Sequence, residues 1–226
     1  MPSEPILRFA PSPNGRLHLG HAYSALFTAH WAKRLGGRFL LRIEDIDTAR
    51  CKPEFTDAIF EDLRWLGLDW PEPVWRQATR FDVYANHARQ LRRLDLLYPC
   101  FCSRSEIAAA AQGTDPDGAP LYPGTCRHLR PGEIEQRLAE GREAQWRLRG
   151  ERAIEMAGVL TYTIARPTPL DRPQIRYARP ELWGDLVIQR KDIPTSYHLS
   201  VVADDDAQGI THVTRGRDME PATDIH

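Results

Sequence analysis

Two histidines three residues apart, His18 and His21, flank Gly20 directly after a loop rich in proline and glycine. Residues three apart on a helix share a face. A helix N-terminus presents free N–H groups and the positive end of its dipole to phosphate. Gly20 lets a ligand approach the backbone closely, and two imidazoles there can donate hydrogen bonds to charge that builds on a phosphoryl group. The expected chemistry is stabilisation of charge on a bound phosphate, with His18 and His21 catalytic and Pro13, Asn14, Gly15, His18, Gly20 and His21 around the phosphate-bearing ligand. Two solvent-facing histidines on a helix are the plainer alternative; their place behind a first strand weighs against it. A second group, Glu44, Asp45 and Asp47, makes an acidic strand end that on chemistry alone could hold magnesium. A third, Cys100, Cys102 and Cys126 with His128 close behind, has the donor types of a tetrahedral zinc site. Three free thiols in a loop-rich segment are the alternative there. Cys51 stands apart and reads as a small packing residue.

These residues need a scaffold. Ile6 to Ala10 reads as a first strand, and the Pro11–Gly15 stretch must be irregular, because two prolines remove donors and Asn-Gly favours a turn. Leu19, Ala22, Leu26 and Ala29 recur at helical spacing, and Gly36-Gly37 stops that helix. Phe39 to Ile43 is the next strand, giving a strand–helix–strand crossover and hence a parallel sheet. Pro53 opens a helix that Gly67 closes, and another helix is expected from Phe81 to Leu96. Ser103 and Glu106 form a capping-box pattern, and Gly113 to Pro123 is a loop. Short strands are expected at 145–149, 159–163, 185–189 and 210–214, with a helix over 195–202. The expected organisation is a catalytic domain in two pieces, 1–97 and 181–226, around an insertion at 98–180 that bears the zinc site.

Composition narrows the class. With 226 residues, 42% apolar and 27% charged, the chain is an ordinary globular one, large enough to bury a core. A net charge of −1 provides no global basic field for nucleic acid, so any RNA contact rests on local patches. No apolar run is long enough to span a bilayer, no signal-peptide core opens the chain, and four unevenly spaced cysteines are not a disulfide framework. A cytoplasmic monomer without a membrane partner is expected.

The stretch Arg8-Phe9-Ala10-Pro11-Ser12-Pro13-Asn14-Gly15-Arg16-Leu17-His18-Leu19-Gly20-His21 resembles the signature of glutamyl-tRNA synthetases and their short paralogues. The resemblance continues through Leu41-Arg42-Ile43-Glu44-Asp45-Ile46-Asp47-Thr48 and from Tyr197-His198-Leu199 to Arg215, and spans essentially the whole chain. It implies an α/β class, a Rossmann-like parallel-sheet catalytic domain of the class I synthetases, with a zinc-bearing insertion. It also implies a glutamate pocket. Arg8, Ala10 and Ser12 line it, Glu44 meets the substrate ammonium, and Tyr197 and Arg215 complete it. Such a set suits a substrate with two carboxylates and one ammonium, because buried charges must be paired and arginine clamps carboxylates. For the metal, standard members often use a Cys-x-His pair like Cys126 and His128, whereas the short paralogues use a tyrosine where Tyr122 stands. The expected set is Cys100, Cys102, Tyr122 and Cys126 around Zn2+, with Mg2+ entering alongside ATP.

Within the family the short paralogues fit better. Standard members usually carry asparagine four residues after the tyrosine matching Tyr197, and this chain has Val201, which implies weaker glutamate binding. The expected reaction joins glutamate to AMP with release of pyrophosphate. The acyl group then passes to queuosine at the wobble position of tRNA(Asp). The family's lysine loop has no match within these residues, so a chain stopped before that loop is expected. The rivals are the N-terminal half of a standard synthetase, a different H-x-G-H nucleotidylyltransferase, and a non-catalytic zinc-bearing RNA-binding module.

Overall fold

The computed structural model describes residues 4–165 and 172–226. In chain order the elements are β1 (Ile6–Phe9), α1 (Leu19–Arg34), β2 (Arg38–Ile43), α2 (Pro53–Trp65), β3 (Trp75–Arg76), α3 (Phe81–Arg93) and β4 (Leu97–Cys100). There follow α4 (Arg104–Ala110), α5 (Pro131–Ala139), β5 (Gln145–Leu148), α6 (Gly150–Ala157), β6 (Thr161–Ile164), β7 (Gln174–Tyr177), β8 (Val187–Gln189) and α7 (Tyr197–Ala207). They fall into two compact units. One comprises Met1–Asn86 with Ile193–Gly216, the other His87–Asp192 with Arg217–His226. No helix among the described residues is long and apolar enough to cross a membrane.

The first unit carries the parallel sheet β1-β2-β3, in register from Ile6↔Arg38 to Phe9↔Leu41 and at Arg42↔Trp75 and Ile43↔Arg76. Parallel neighbours need a crossover, and α1 supplies it between β1 and β2. Leu7, Phe9, Leu41 and Ile43 are buried, and Ile59, Leu63 and Trp70 pack into the same core as the last three. The face of α1 differs from the expected one. Leu19 is 85% exposed, and the buried residues are Ala25, Thr28 and Ala32. Apolar residues surround this helix, so their periodicity cannot choose a face; small side chains win where the helix lies close to the sheet. Gly37 serves the same closeness, since a β-carbon there would meet Pro5 O at 2.1 Å.

The expected strand at 210–214 is a single parallel bridge, Leu7↔His212, held where Thr211 N and His212 N both donate to Ile6 O. Helix α3 ends at Arg93 rather than Leu96. Asp95 adopts φ 54°, a left-handed conformation that aspartate tolerates, and the chain turns into β4.

The second unit holds an antiparallel sheet in the order β4-β5-β8 and a β6-β7 hairpin. β4 escapes a sequence reading because Pro99 lies within it; at the edge of the sheet its missing N–H costs little. The capping box of α4 forms as expected, Ser103 Oγ accepting from Glu106 N at 3.2 Å. Helices α5 and α6 lie within the expected insertion but were not legible as helices.

Candidate active site

The loop between β1 and α1 is pinned from behind. Pro11 and Pro13 are buried, and their carbonyls accept from Glu44 N (3.0 Å) and Lys52 N (3.2 Å). The end of β2 and the start of α2 thereby fix the loop that carries Ala10, Ser12, Asn14 and Gly15. Ser12 and Asn14 are exposed and Ala10 half-buried, and Ser12 Oγ lies 3.7 Å from Cys51 Sγ.

His18 and His21 form a reciprocal cap at the start of α1. His18 Nδ1 accepts from Gly20 N at 3.1 Å, and His21 Nδ1 accepts from His18 N at 3.2 Å. A nitrogen that accepts bears no proton, so each neutral ring carries its hydrogen on Nε2. The rings lie against each other at a tilt of 38°, centroids 3.9 Å apart. Burial, and then the neighbouring His18, lower the pKa of His21, which favours this neutral form. The helix entrance therefore combines two Nε2–H donors with the backbone amides of its first turn. A β-carbon at Gly20 would lie 3.0 Å from His18 Cε1, so any larger residue there would push the His18 ring aside.

The residues expected around glutamate come together within the first unit, as a charge network. Arg8, on β1, donates from Nε to both oxygens of Asp205 (3.0 and 3.2 Å). Arg42, on β2 and wholly buried, donates to Asp205 (2.8 Å), Gln208 (2.9 Å) and Glu44 (3.0 Å). Burial raises the pKa of Glu44, against the pull of Arg42 and Arg8. Tyr197 opens α7 behind its cap Ser196 and is half-buried; burial raises its pKa, as does the charge of Glu44, against that of Arg215. Burial lowers the pKa of Arg215, partly offset by Tyr197. Thus Arg8, Glu44, Tyr197 and Arg215 lie within electrostatic reach of one another. Val201 is buried, at 1% exposure, on the same helix.

Asp204 and Asp205 are the residues a sequence reading misses. Asp204 is wholly buried and accepts from Gln77 Nε2 (3.0 Å), Arg80 Nε (2.8 Å) and Tyr84 Oη (2.8 Å). An Asp-Asp-Asp run within a helix reads as a solvated face, and only the available cue, its closeness to Tyr197, spoke otherwise. The acidic strand end does not assemble a magnesium site. Glu44 turns to Arg42, Asp45 accepts from Arg76 Nε (3.0 Å) and Ala78 N (2.8 Å), and Asp47 accepts from Arg50 (2.8 Å).

In the second unit, Cys100, Cys102 and Cys126 place their sulfurs within 4.8 Å of one another. Among the described residues this is the one such cluster of metal-ligating groups. Cys102 Sγ is 3.6 Å from Cys126 Sγ and 3.9 Å from Tyr122 Oη, and that oxygen accepts from Cys126 N at 2.7 Å. The hydrogen bond from Cys126 pulls Cys100 down to about 4, and the same bond pushes Cys126 up. Three soft donors and a phenol at these distances fit a tetrahedral ion. His128 is exposed and lies outside the cluster.

The family model for class I tRNA synthetases (E and Q), catalytic domain, matches residues 6–226. A glutamyl-Q tRNA(Asp) synthetase of Rhodobacter capsulatus is 45% identical over 98% of this chain and 80% of its own length. Its namesake in Symbiobacterium thermophilum is 41% identical over 96% of the chain and 67% of its own. A glutamate–tRNA ligase of Aquifex aeolicus is 39% identical over 96% of the chain but only 44% of its own length. A solved glutamate tRNA ligase of Elizabethkingia meningosepticum superposes with a TM-score of 0.73 at 26% identity, covering 99% of this chain and 46% of that one. The parallel sheet, the capped histidine pair and these matches agree: the chain belongs to the class I tRNA synthetases for glutamate and glutamine, through their catalytic domain.

Proposed function

We propose that this chain activates glutamate with ATP and transfers it to queuosine at the wobble position of tRNA(Asp). The observation that carries the first half is the charge network. Three guanidinium groups, Arg8, Arg42 and Arg215, face two carboxylates, Glu44 and Asp205, since Asp204 is satisfied by Gln77, Arg80 and Tyr84. The network thus offers guanidinium groups for the substrate's carboxylates beside a carboxylate for its ammonium, a charge pattern complementary to glutamate. In this reading Arg8 and Arg215 bind the substrate carboxylates, Glu44 and the Tyr197 hydroxyl hold the ammonium end, and Ala10 and Ser12 shape the wall. The second half is supported by the names of relatives that share most of the chain.

Activation asks little covalent chemistry of the protein, which aligns the α-carboxylate with the α-phosphate and stabilises charge there. The carboxylate oxygen bonds to the α-phosphorus as the bond to the bridging oxygen breaks, so pyrophosphate leaves and glutamyl-adenylate remains. Pro13, Asn14, Gly15 and Gly20 leave room for the phosphates, and the Nε2–H groups of His18 and His21 donate to the oxygens that gain charge. Magnesium enters with ATP, where it neutralises phosphate charge. The adenylate's carbonyl carbon is then attacked by a hydroxyl of the queuosine cyclopentene-diol, and AMP leaves. The test of the first half is exchange of labelled pyrophosphate into ATP. Exchange that depends on glutamate without tRNA supports the reading; exchange driven by another amino acid contradicts it.

Zinc in the second unit would be held by Cys100, Cys102, Cys126 and Tyr122, where it would tie the segments around β4 and the 113–126 loop together. Purified chain is expected to carry a single zinc ion by elemental analysis. Cys102→Ser should lose the ion and lower the thermal midpoint, because structural zinc contributes folding energy. Tyr122→Phe should weaken zinc binding more than His128→Ala does. The reverse order would make His128 the fourth ligand.

A further inference from the structure

We infer that Asp205 is a positioning residue for substrate selection: it fixes Arg8 directly and Glu44 through Arg42. The inference rests on the glutamate reading of the site. Among the described residues, Asp205 is the acceptor of every hydrogen bond that Arg8 donates, and all of these leave from Nε. The Nη edge of the guanidinium is therefore left for an external carboxylate, at an orientation set by the aspartate behind it. Arginine offers five donors in a rigid fork, so fixing one nitrogen aims the others. The same carboxylate accepts from Arg42 Nη1 at 2.8 Å, and Arg42 Nη2 donates to Glu44 at 3.0 Å. One acidic side chain at 19% exposure thus links the group that would meet a carboxylate to the group that would meet an ammonium. Among the described residues the hydrogen-bond partners of neighbouring Asp204 are instead Gln77, Arg80 and Tyr84, with Arg42 at 3.9 Å. The two neighbours divide the work, Asp204 knitting α7 to the segment from Gln77 to Tyr84 and Asp205 aiming the pocket.

A simple charge argument and a positioning argument predict opposite signs. Asp205→Asn adds a positive charge to the pocket, which by charge alone would tighten glutamate. If Asp205 aims Arg8, the same change loosens it. Calorimetric titration of glutamate into the full chain decides. For Asp205→Asn the Kd should rise roughly 10- to 150-fold, the range for a lost hydrogen bond to a charged group, with Mg-ATP binding unchanged. In an Arg8→Gln background the further penalty should be clearly smaller than in the wild type, leaving only the part that runs through Arg42 to Glu44, and Asp205→Glu should recover part of the loss. Unchanged or tighter glutamate binding by Asp205→Asn overturns the inference alone, as does a penalty that adds in full to that of Arg8→Gln. Wild-type chain that binds no glutamate removes the reading of the pocket and this inference with it. A measurement on the wild type guards against a variant that fails to fold. In arginine-labelled protein the Arg8 Nε–H resonance should persist at glutamate saturation while the Nη signals move. Its loss would mean that substrate displaces Asp205, and would overturn the proposal.

Discussion

Glutamine is expected to support pyrophosphate exchange two to four orders of magnitude less well than glutamate. The two substrates have nearly the same shape, so discrimination must come from charge. An amide in place of the side-chain carboxylate leaves an arginine facing a neutral oxygen or, worse, an NH2 donor. Breaking one half of a buried ion pair costs about 3–5 kcal/mol, because the remaining charge stays desolvated. The cost applies here because Arg8 is held away from water. Arg8 is 7% exposed and tied to Asp205, and burial already works against the charge of Arg215. Comparing kcat/KM for exchange with the two amino acids measures the ratio. A ratio near unity would mean that the guanidiniums do not face the substrate side chain.

Replacing His21 by alanine is expected to lower the exchange rate by roughly 10²–10³, the scale for removing one preorganised donor from a transition state. Two losses combine. The Nε2–H donor disappears, and the N–H of His18 loses the acceptor that fixes its backbone. His21→Asn separates them, since its amide can still cap the helix while its donor falls short of the phosphate. Thermal stability near wild type with a low rate in His21→Asn would assign the effect to the donor. A low rate arising entirely from loss of the helix start would instead appear as an equal fall in nucleotide affinity. The sign with pH follows from the direction of the shift. The pKa of His21 is lowered in the fold, so the stability it contributes is full above the ordinary histidine value and is lost as pH falls from there through the lowered one.

Much of this was legible because local chemistry and topology agree. The loop at 11–15, the histidine pair and the strands on either side each follow from short-range rules, and β1, α1 and β2 take the predicted order. The capping box at Ser103 and the loop to Pro123 are of the same kind. What escaped depended on long-range partners. Asp204 and Asp205 look like surface acids until Gln77, Arg80, Arg8 and Arg42 are brought to them across more than a hundred residues. β3 is two residues long, and β4 contains a proline that only an edge position tolerates. The face of α1 was misread because alanine and leucine are equally apolar on a periodicity count, whereas packing against a sheet separates them by size. The acidic strand end misleads in the other direction. Three carboxylates in four residues suggest a metal, but each points to its own arginine.

Which RNA receives the glutamate can be read from labelled amino acid. The chain spans 80% of a relative named glutamyl-Q tRNA(Asp) synthetase but 44% of one named glutamate–tRNA ligase. Sequence-specific RNA recognition favours unpaired loops, where bases are open to stacking and hydrogen bonding. An anticodon loop presented to the pocket of Arg8, Glu44 and Arg215 meets that condition. The measurement incubates the protein with ATP, labelled glutamate and tRNA(Asp), with and without queuosine, or tRNA(Glu), after periodate treatment that blocks the 3′ ribose while the queuosine diol is protected. Label is expected on queuosine-bearing tRNA(Asp) alone, undiminished by the blocked 3′ end. Label on the 3′ end of tRNA(Glu), lost on periodate treatment, would contradict it.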